Sequence, residues 1–291
     1  MAVMEKINTK ELLNRSAAWL ERRGCESARL DAELLLAETL GCSRLDLYVQ
    51  WDRPVTEREK GHYRDLIRRR GDREPVAYIL GRKEFYSLEF EVGPGVLVPR
   101  PETEFIVDEV LENTEENEEF RVADIGTGSG VIAVAIAVHR PKALVVATDV
   151  SAEAIGYARR NTEKHGVADR VGIRQGAFYE PLKGEVDWIV SNPPYIPDAD
   201  RDSLSADVRE HEPEGALFAG RTGLDALEVI IAEAPGYLRD GGRLVLEIGQ
   251  GQAHAVLGLI EATSAFDGAE IRRDYSEIER VVIAGKRGGD A

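Results

Sequence analysis

The sequence predicts an α/β protein: a doubly wound, mainly parallel sheet preceded by a small all-helical domain and a β-hairpin connector. Three observations predict it. From Phe120 onward, short apolar strands alternate with helix-length segments, the pattern that puts helices on both faces of a parallel sheet. In residues 1–75 the apolar spacing is helical, with Ser or Thr starts and Gly stops. Between the two, aromatic and β-branched stretches surround "GPG".

The elements follow in order. "TKELLNRSAAWLERRG" reads as a helix with Thr9 as N-cap, Leu12, Leu13, Ala17 and Leu20 inward, and Gly24 as its stop. "SARLDAELLLAETLG" repeats the plan from Ser27 to Gly41, and "TEREKGHYRDLIRRRG" from Thr56 to Gly71. Residues 76–100 are the hairpin-like connector. "PRPETE" then opens a helix, with Pro101 in the first turn and Glu102 and Glu104 favourable at its N-terminus. The acidic run Glu112 to Glu119 reads as a solvated loop.

Beyond it, strands "RVADIG", "ALVVATDV", "RVGIRQG" and "VDWIVSN" are separated by helices or loops. Helix "GLDALEVIIAEAPGYL", strand "GRLVLEIG", helix "QAHAVLGLIEATS" and a closing strand "RVVIAGK" complete residues 101–291.

At 43% hydrophobic residues the 291-residue chain has material for a substantial core. No run approaches the ~18 apolar residues of a membrane span. "MAVMEKINTKELL" lacks an apolar leader segment, so the chain is expected to be a mature, soluble, cytoplasmic protein. Cys25 and Cys42 have no companion ligands and read as core thiols of a reducing compartment, with no metal expected. The net charge of −16 argues against direct nucleic-acid binding, which needs clustered Lys and Arg. The one dense basic stretch, Tyr63 to Arg73, has acids mixed in and reads first as a solvated helix face, second as a docking surface.

In doubly wound sheets, ligands bind at the carboxyl ends of the strands. The first strand-to-helix turn is "DIGTGSG", Asp124 to Gly130. Its glycines allow a tight turn and close backbone approach. The spacing is G-x-G-x-G, unlike the G-x-G-x-x-G of nicotinamide-binding turns. Asp124 beside it suits an ammonium group better than a pyrophosphate. Asp149 ends the next strand about 20 residues on, where a carboxylate accepts hydrogen bonds from ribose hydroxyls; its alternative role is to cap the "SAEAI" helix. Together these residues describe a nucleoside ligand with a cationic end and no phosphate, properties of S-adenosylmethionine.

"VDWIV" runs into "SNPPYIP". Two prolines end a strand rigidly, but ending a strand requires neither Asn192 nor Tyr195. A planar NH2 acceptor has its lone pair delocalised. The Asn192 side-chain oxygen and the Pro193 carbonyl would each accept one of its N–H groups and favour tetrahedral geometry during attack on a methyl group. Tyr195 offers an aromatic face for stacking.

"DIGTGSG", "TDVS" and "NPPY" together resemble the Rossmann-like class I methyltransferases that modify amide or exocyclic nitrogens. The helical N-terminal third, "EPVAYILGRKEFY", "VLVPRPETE", "NPPYIP", "EHEPEGALFAGRTGLD", "LEIG" and "DYSEIERVV" resemble, in that order and over nearly the whole chain, the protein-(glutamine-N5) methyltransferases of peptide-chain release factors. The resemblance implies that residues 1–75 recognise the substrate and residues 101–291 bind S-adenosylmethionine, leaving S-adenosylhomocysteine. The acceptor would be the glutamine amide of the release factor's Gly-Gly-Gln motif. It implies a cofactor site of Asp124, Gly126, Thr127, Gly128, Ser129, Gly130, Asp149, Phe178 and Asn192. Asn192, Pro193, Pro194, Tyr195, Arg100 and Glu102 would meet the substrate, Asn192 and Pro193 being catalytic. One position departs: "GAFYEP" has Ala177 where the family usually has an acid before the aromatic, which removes an expected adenine contact. Glu210 and Pro213 are expected to shape a loop. Two other readings are an adenine-N6 nucleic-acid methyltransferase and a non-catalytic translation-associated adaptor.

Overall fold

The computed structural model describes residues 7–288 and divides into two compact units. The expectation of no leader at the N-terminus rests partly on residues 1–6, which lie outside the described residues. The first unit comprises residues up to Arg82 together with Ser205–His211; the second comprises Lys83–Leu204 and Glu212 onward.

The first unit contains α1 (Thr9–Arg22), α2 (Ala28–Leu40), α3 (Arg44–Val49), α4 (Glu57–Gly71) and α5 (Val76–Leu80). Leu13, Leu20, Leu35, Leu36, Leu47 and Tyr63 are its buried centre. Asn8, not Thr9, caps α1, accepting the Glu11 N–H at 2.9 Å. Thr56 caps α4 in a reciprocal box with Glu59. The segment α5 was expected to be part of the connector; "VAYIL" instead forms a helical turn after Pro75, closed by Gly81 in the left-handed region.

The basic stretch on α4 is of mixed character. Arg64 and Arg68 are exposed, whereas Arg70 is buried and pairs with Asp31 and Asp207, each at 2.6 Å. Asp207 lies on a short helix that joins this unit from far along the sequence. A Leu at position 70 would leave Asp31 buried without its counter-charge. Arg70→Leu is expected to destabilise the protein by about 3 kcal/mol in urea titrations at neutral pH.

The second unit opens with the hairpin β1 (Arg82–Phe85) and β2 (Leu88–Glu91), whose first residue still belongs to the helical unit. Its turn is at Tyr86 and Ser87, both at positive φ, and not at "GPG", which follows β2 as a separate turn. Then come α6 (Glu104–Glu112), β3 (Arg121–Ile125), α7 (Val131–His139), β4 (Leu144–Asp149), α8 (Ala152–Lys164), β5 (Val171–Gln175) and β6 (Val186–Ser191). After α9 (Ala206–His211), which belongs to the helical unit, come α10 (Asp225–Glu233), β7 (Leu238–Glu247), α11 (Ala253–Thr263), β8 (Phe266–Arg273) and β9 (Glu279–Lys286).

The seven-stranded sheet has the order β5-β4-β3-β6-β7-β9-β8, parallel from β5 to β7 and antiparallel through β9 and β8. The expected doubly wound, mainly parallel sheet is therefore present. Every residue of β6 is buried, as are seven consecutive residues of α7, Val131–Ala137; this explains their near-continuous apolar sequence. β8 was missed because "FDGAEIRR" is a largely polar edge strand. No helix among the described residues is long and apolar enough to cross a membrane.

Candidate active site

The chain leaves β3 toward β4 and β5, then returns on the opposite flank at β6. The carboxyl ends of β3 and β6 thus lie side by side at the point where the winding reverses, the ligand crevice of such sheets. Ser191 Oγ donates to the Ile125 carbonyl at 2.6 Å and ties the two exits together. A cavity of about 280 Å³ occupies the crevice. Gly126, Thr127, Gly128, Ser129, Asp149, Phe178, Arg100, Asn192, Pro193 and Pro194 are on its wall.

Gly126, Gly128 and Gly130 have φ of 72°, 57° and 85°, left-handed values that favour glycine. The first two bring bare backbone to the cavity. Gly130 is set back from the wall: a β-carbon there would stand 3.2 Å from the Ala158 Cα, so its role is the close packing of α7 on α8.

Asp149 ends β4. Its Oδ2 accepts the Gly128 N–H and its Oδ1 accepts the Ser151 N–H, each at 2.9 Å. The N-cap of α8 is Ser151, whose Oγ accepts the Ala154 N–H at 3.2 Å. Capping therefore does not consume Asp149, and its carboxylate retains acceptor capacity for a ligand hydroxyl. Burial raises its pKa, while the N–H groups of Ser151, Gly128 and Val150 oppose the rise.

Asp124 lies beneath the turn instead of on the cavity wall, fully buried. Its Oδ2 accepts the Thr127 hydroxyl at 2.6 Å and the Ala133 N–H at 3.2 Å, while Oδ1 is buried without a partner. Burial pushes its pKa up to about 7, against those hydrogen bonds and with the help of Asp149. In its ionised form, this carboxylate behind the glycine turn suits a cationic ligand group and opposes a phosphate.

Phe178 reaches the wall from the loop after β5, with φ of 43°, a strained value for a non-glycine residue. The Thr148 hydroxyl holds its carbonyl at 2.9 Å. Ala177 beside it is exposed, and its N–H donates to Glu180 Oε2 at 3.3 Å.

Asn192 follows β6 directly. Its Nδ2 donates to Thr103 Oγ1 at 2.9 Å, and the Thr103 hydroxyl donates to Glu247 Oε2 at 2.7 Å. The other oxygen of Glu247 accepts the Tyr195 hydroxyl at 3.2 Å. Tyr195 and Glu102 lie off the cavity wall. Burial pushes the Glu247 pKa up to about 7, opposed by the hydrogen bonds from Thr103 and Tyr195. Thr103 and Glu247 carry no role legible in sequence, although they lie within "VLVPRPETE" and "LEIG". The available signal is a carboxylate ending the apolar run "LVL" of β7. Arg100 pairs with buried Glu212 at 2.5 Å, and Glu212 also accepts the Val98 N–H at 3.1 Å. The acid that fastens this loop is thus Glu212, while Glu210 is exposed beside Arg209 and Pro213 joins the cavity wall. Among the described residues no group of His, Cys, Asp and Glu is placed to hold a metal ion.

Residues 11–81 match a family described as the PrmC N-terminal domain, and residues 103–208 match the methyltransferase small domain. The release factor glutamine methyltransferase of Geobacter sulfurreducens is 45% identical over 94% of this chain and 95% of its own. The chain belongs to the release factor glutamine methyltransferase family. Another member, from Moorella thermoacetica, is 40% identical over 96% of this chain and 98% of its own. The fold recurs in the solved 16S rRNA N2 G1207 methyltransferase of Thermus thermophilus, in complex with AdoMet and guanosine. That structure has a TM-score of 0.53 at 19% identity, covering 71% of this chain and 50% of its own. As a member of the family the chain is an enzyme, a methyltransferase.

Proposed function

We propose that this enzyme transfers the methyl group of S-adenosylmethionine to the side-chain amide nitrogen of the glutamine in the Gly-Gly-Gln motif of peptide-chain release factors. The observation that carries the reading is the placement of Asn192 and Pro193 on the cavity wall, across the winding reversal from the glycine turn. The name borne by the relatives favours it over nucleic-acid methylation and over a non-catalytic adaptor.

The residues fit this cofactor. Asp149 would accept the ribose hydroxyls, Phe178 would lie against the adenine, and the backbone of Gly126 and Gly128 would pass close to the amino-acid portion. Asp124, whose pKa burial raises to about 7, would in its ionised form supply negative charge behind the turn toward its ammonium group, through the turn rather than by wall contact. When bound, the cofactor supplies an electrophilic methyl group on a sulfonium.

Asn192 Oδ1 and the Pro193 carbonyl would accept the two N–H groups of the glutamine amide. Holding both hydrogens fixes the nitrogen's direction of approach and stabilises the positive charge that grows on it during attack. Pro194 stiffens the corner, and Arg100, fastened by Glu212, borders the substrate side. Tyr195 would contribute through its fixed ring beside the corner, and Glu102 through the field around it.

The helical unit is proposed to recognise the release factor. Arg15, Lys60, Arg64 and Arg68 line a groove together with Trp19, Ile67 and Glu57, the last paired with Lys60 at 2.8 Å. The double substitution Arg64→Glu with Arg68→Glu is expected to lower kcat/KM on an intact release factor by about 10-fold, the scale of two screened surface charge contacts. A short Gly-Gly-Gln peptide would be methylated equally by both proteins. Equal rates on the intact substrate would remove the docking role. This substitution is preferable to deleting residues 1–75, because deletion would also strip Asp207 of its partners Arg70 and Arg73.

A further inference from the structure

Asn192 works in the proposed reaction only if its amide shows oxygen, not nitrogen, to the substrate. An amide is nearly symmetrical in shape, so packing alone discriminates poorly between its two orientations. The hydrogen-bond chain behind it discriminates by chemistry. Glu247 is 1% exposed and, when ionised, only accepts. Thr103, 3% exposed, must therefore spend its single hydroxyl proton on Glu247 Oε2, 2.7 Å away. Its oxygen is then left to accept, and Asn192 must present Nδ2 to it, at 2.9 Å. That leaves Oδ1 for the substrate side.

Resting on the reading of Asn192 as the holder of the glutamine amide, we infer that Glu247 is a positioning residue that fixes the orientation of the Asn192 amide through Thr103. It fastens Tyr195 in the same way, through its second oxygen at 3.2 Å. Register supports the arrangement: β6 and β7 are parallel neighbours with Ser191 opposite Leu246, so Asn192, just past β6, and Glu247, the last residue of β7, stand at one level. The stretch before α6 brings Thr103 between them.

A protonated Glu247, or a glutamine there, can donate to Thr103. The Thr103 hydroxyl is then free to donate to Asn192, and the amide can turn its NH2 toward the substrate. The charged groups facing Glu247 are Glu102, which favours its protonation, and Arg280, which opposes it. Arg280 is itself paired with Asp274 at 2.9 Å. With the Glu247 pKa near 7, the ionised, orienting form prevails above neutrality, so kcat should rise as pH increases through that region. Stability runs the other way. A carboxyl whose folded pKa lies above its unfolded value stabilises the fold at low pH, and that contribution is lost as pH rises through the folded pKa.

The test uses the full-length enzyme with an intact release factor and S-adenosylmethionine. Glu247→Gln should lower kcat by about 10- to 100-fold, a partial loss of one preorganised contact. KM for the release factor and Kd for S-adenosylmethionine should stay within about two-fold. Its kcat should lack the rise through neutral pH expected of the wild type, and its Tm at pH 8 should equal or exceed that of the wild type. Thr103→Val should share the kcat loss, while Thr103→Ser, which keeps the hydroxyl, should recover it. A Glu247→Gln enzyme with wild-type kcat and pH profile would overturn the inference. So would a kcat loss in Glu247→Gln that adds fully to that of Asn192→Ala in the double variant, because positioning through Asn192 requires the two losses to overlap. Asn192→Ala alone separates the layers: its retention of turnover would fell the reading of Asn192 itself, whereas its loss beside a fully active Glu247→Gln would fell only the role of Glu247.

Discussion

Asn192→Ala is expected to lower kcat by about 10²–10³-fold, the scale for one preorganised polar contact at a reacting centre. The protein should remain folded, because the corner is held by Pro193, Pro194 and the Ser191–Ile125 hydrogen bond, none of which uses the Asn192 side chain. The partner left behind, Thr103 Oγ1, still donates to Glu247 and loses only an accepted bond. Asn192→Asp separates two contributions. It keeps an oxygen toward the substrate but sets a second acceptor against Thr103, and it adds negative charge near a cationic cofactor. It is expected to bind S-adenosylmethionine as well as the wild type does and to turn over more slowly. If Asn192 merely shaped the turn, both variants would lose Tm and keep their activity per folded molecule. Single-turnover methylation and thermal melts on the same samples decide between these outcomes.

Asp149→Ala is expected to weaken S-adenosylmethionine binding by about 1.5–3 kcal/mol, roughly 10- to 150-fold in Kd, through loss of charge-assisted hydrogen bonds to the ribose. The variant also frees the N–H groups of Gly128 and Ser151 that the carboxylate holds, so part of the loss would come from a looser glycine turn. The helix cap is independent of it, because Ser151 serves α8. Calorimetric titration of the folded variant measures the effect. An unchanged Kd would leave Asp149 with a purely structural role in bracing the turn.

What the sequence made legible was local chemistry. Alternating strands and helices predicted the doubly wound sheet, since each strand carries its own burial pattern, and β6 and α7 announce their burial in unbroken apolar runs. "DIGTGSG" and "NPPY" were legible because a left-handed glycine turn and a double-proline corner are properties of a few adjacent residues. What escaped depended on long-range contact. The helix carrying Asp207 joins the N-terminal helical unit because Arg70 and Arg73 receive its carboxylate, and nothing in "SADVREH" states that. Glu212 and Glu210 look equivalent on paper, and only the arrival of Arg100 and the Val98 N–H distinguishes them. Asp124 was expected to face the ligand, but its spacing to Thr127 and Ala133 folds it under the turn. The hairpin turn was misplaced because Tyr86 and Ser87 adopt positive φ without glycine, whereas "GPG" advertised a turn that the chain uses elsewhere.

The measurement that bears most directly on the central claim is mass spectrometry of a release factor incubated with this enzyme and S-adenosylmethionine, with the Asn192→Ala enzyme as control. The expected result is the mass gain of one methyl group, localised by fragmentation to the glutamine of the Gly-Gly-Gln motif and nearly absent with the control. A methyl group on another residue, or an unmodified Gly-Gly-Gln peptide after incubation with folded, cofactor-binding enzyme, would contradict it.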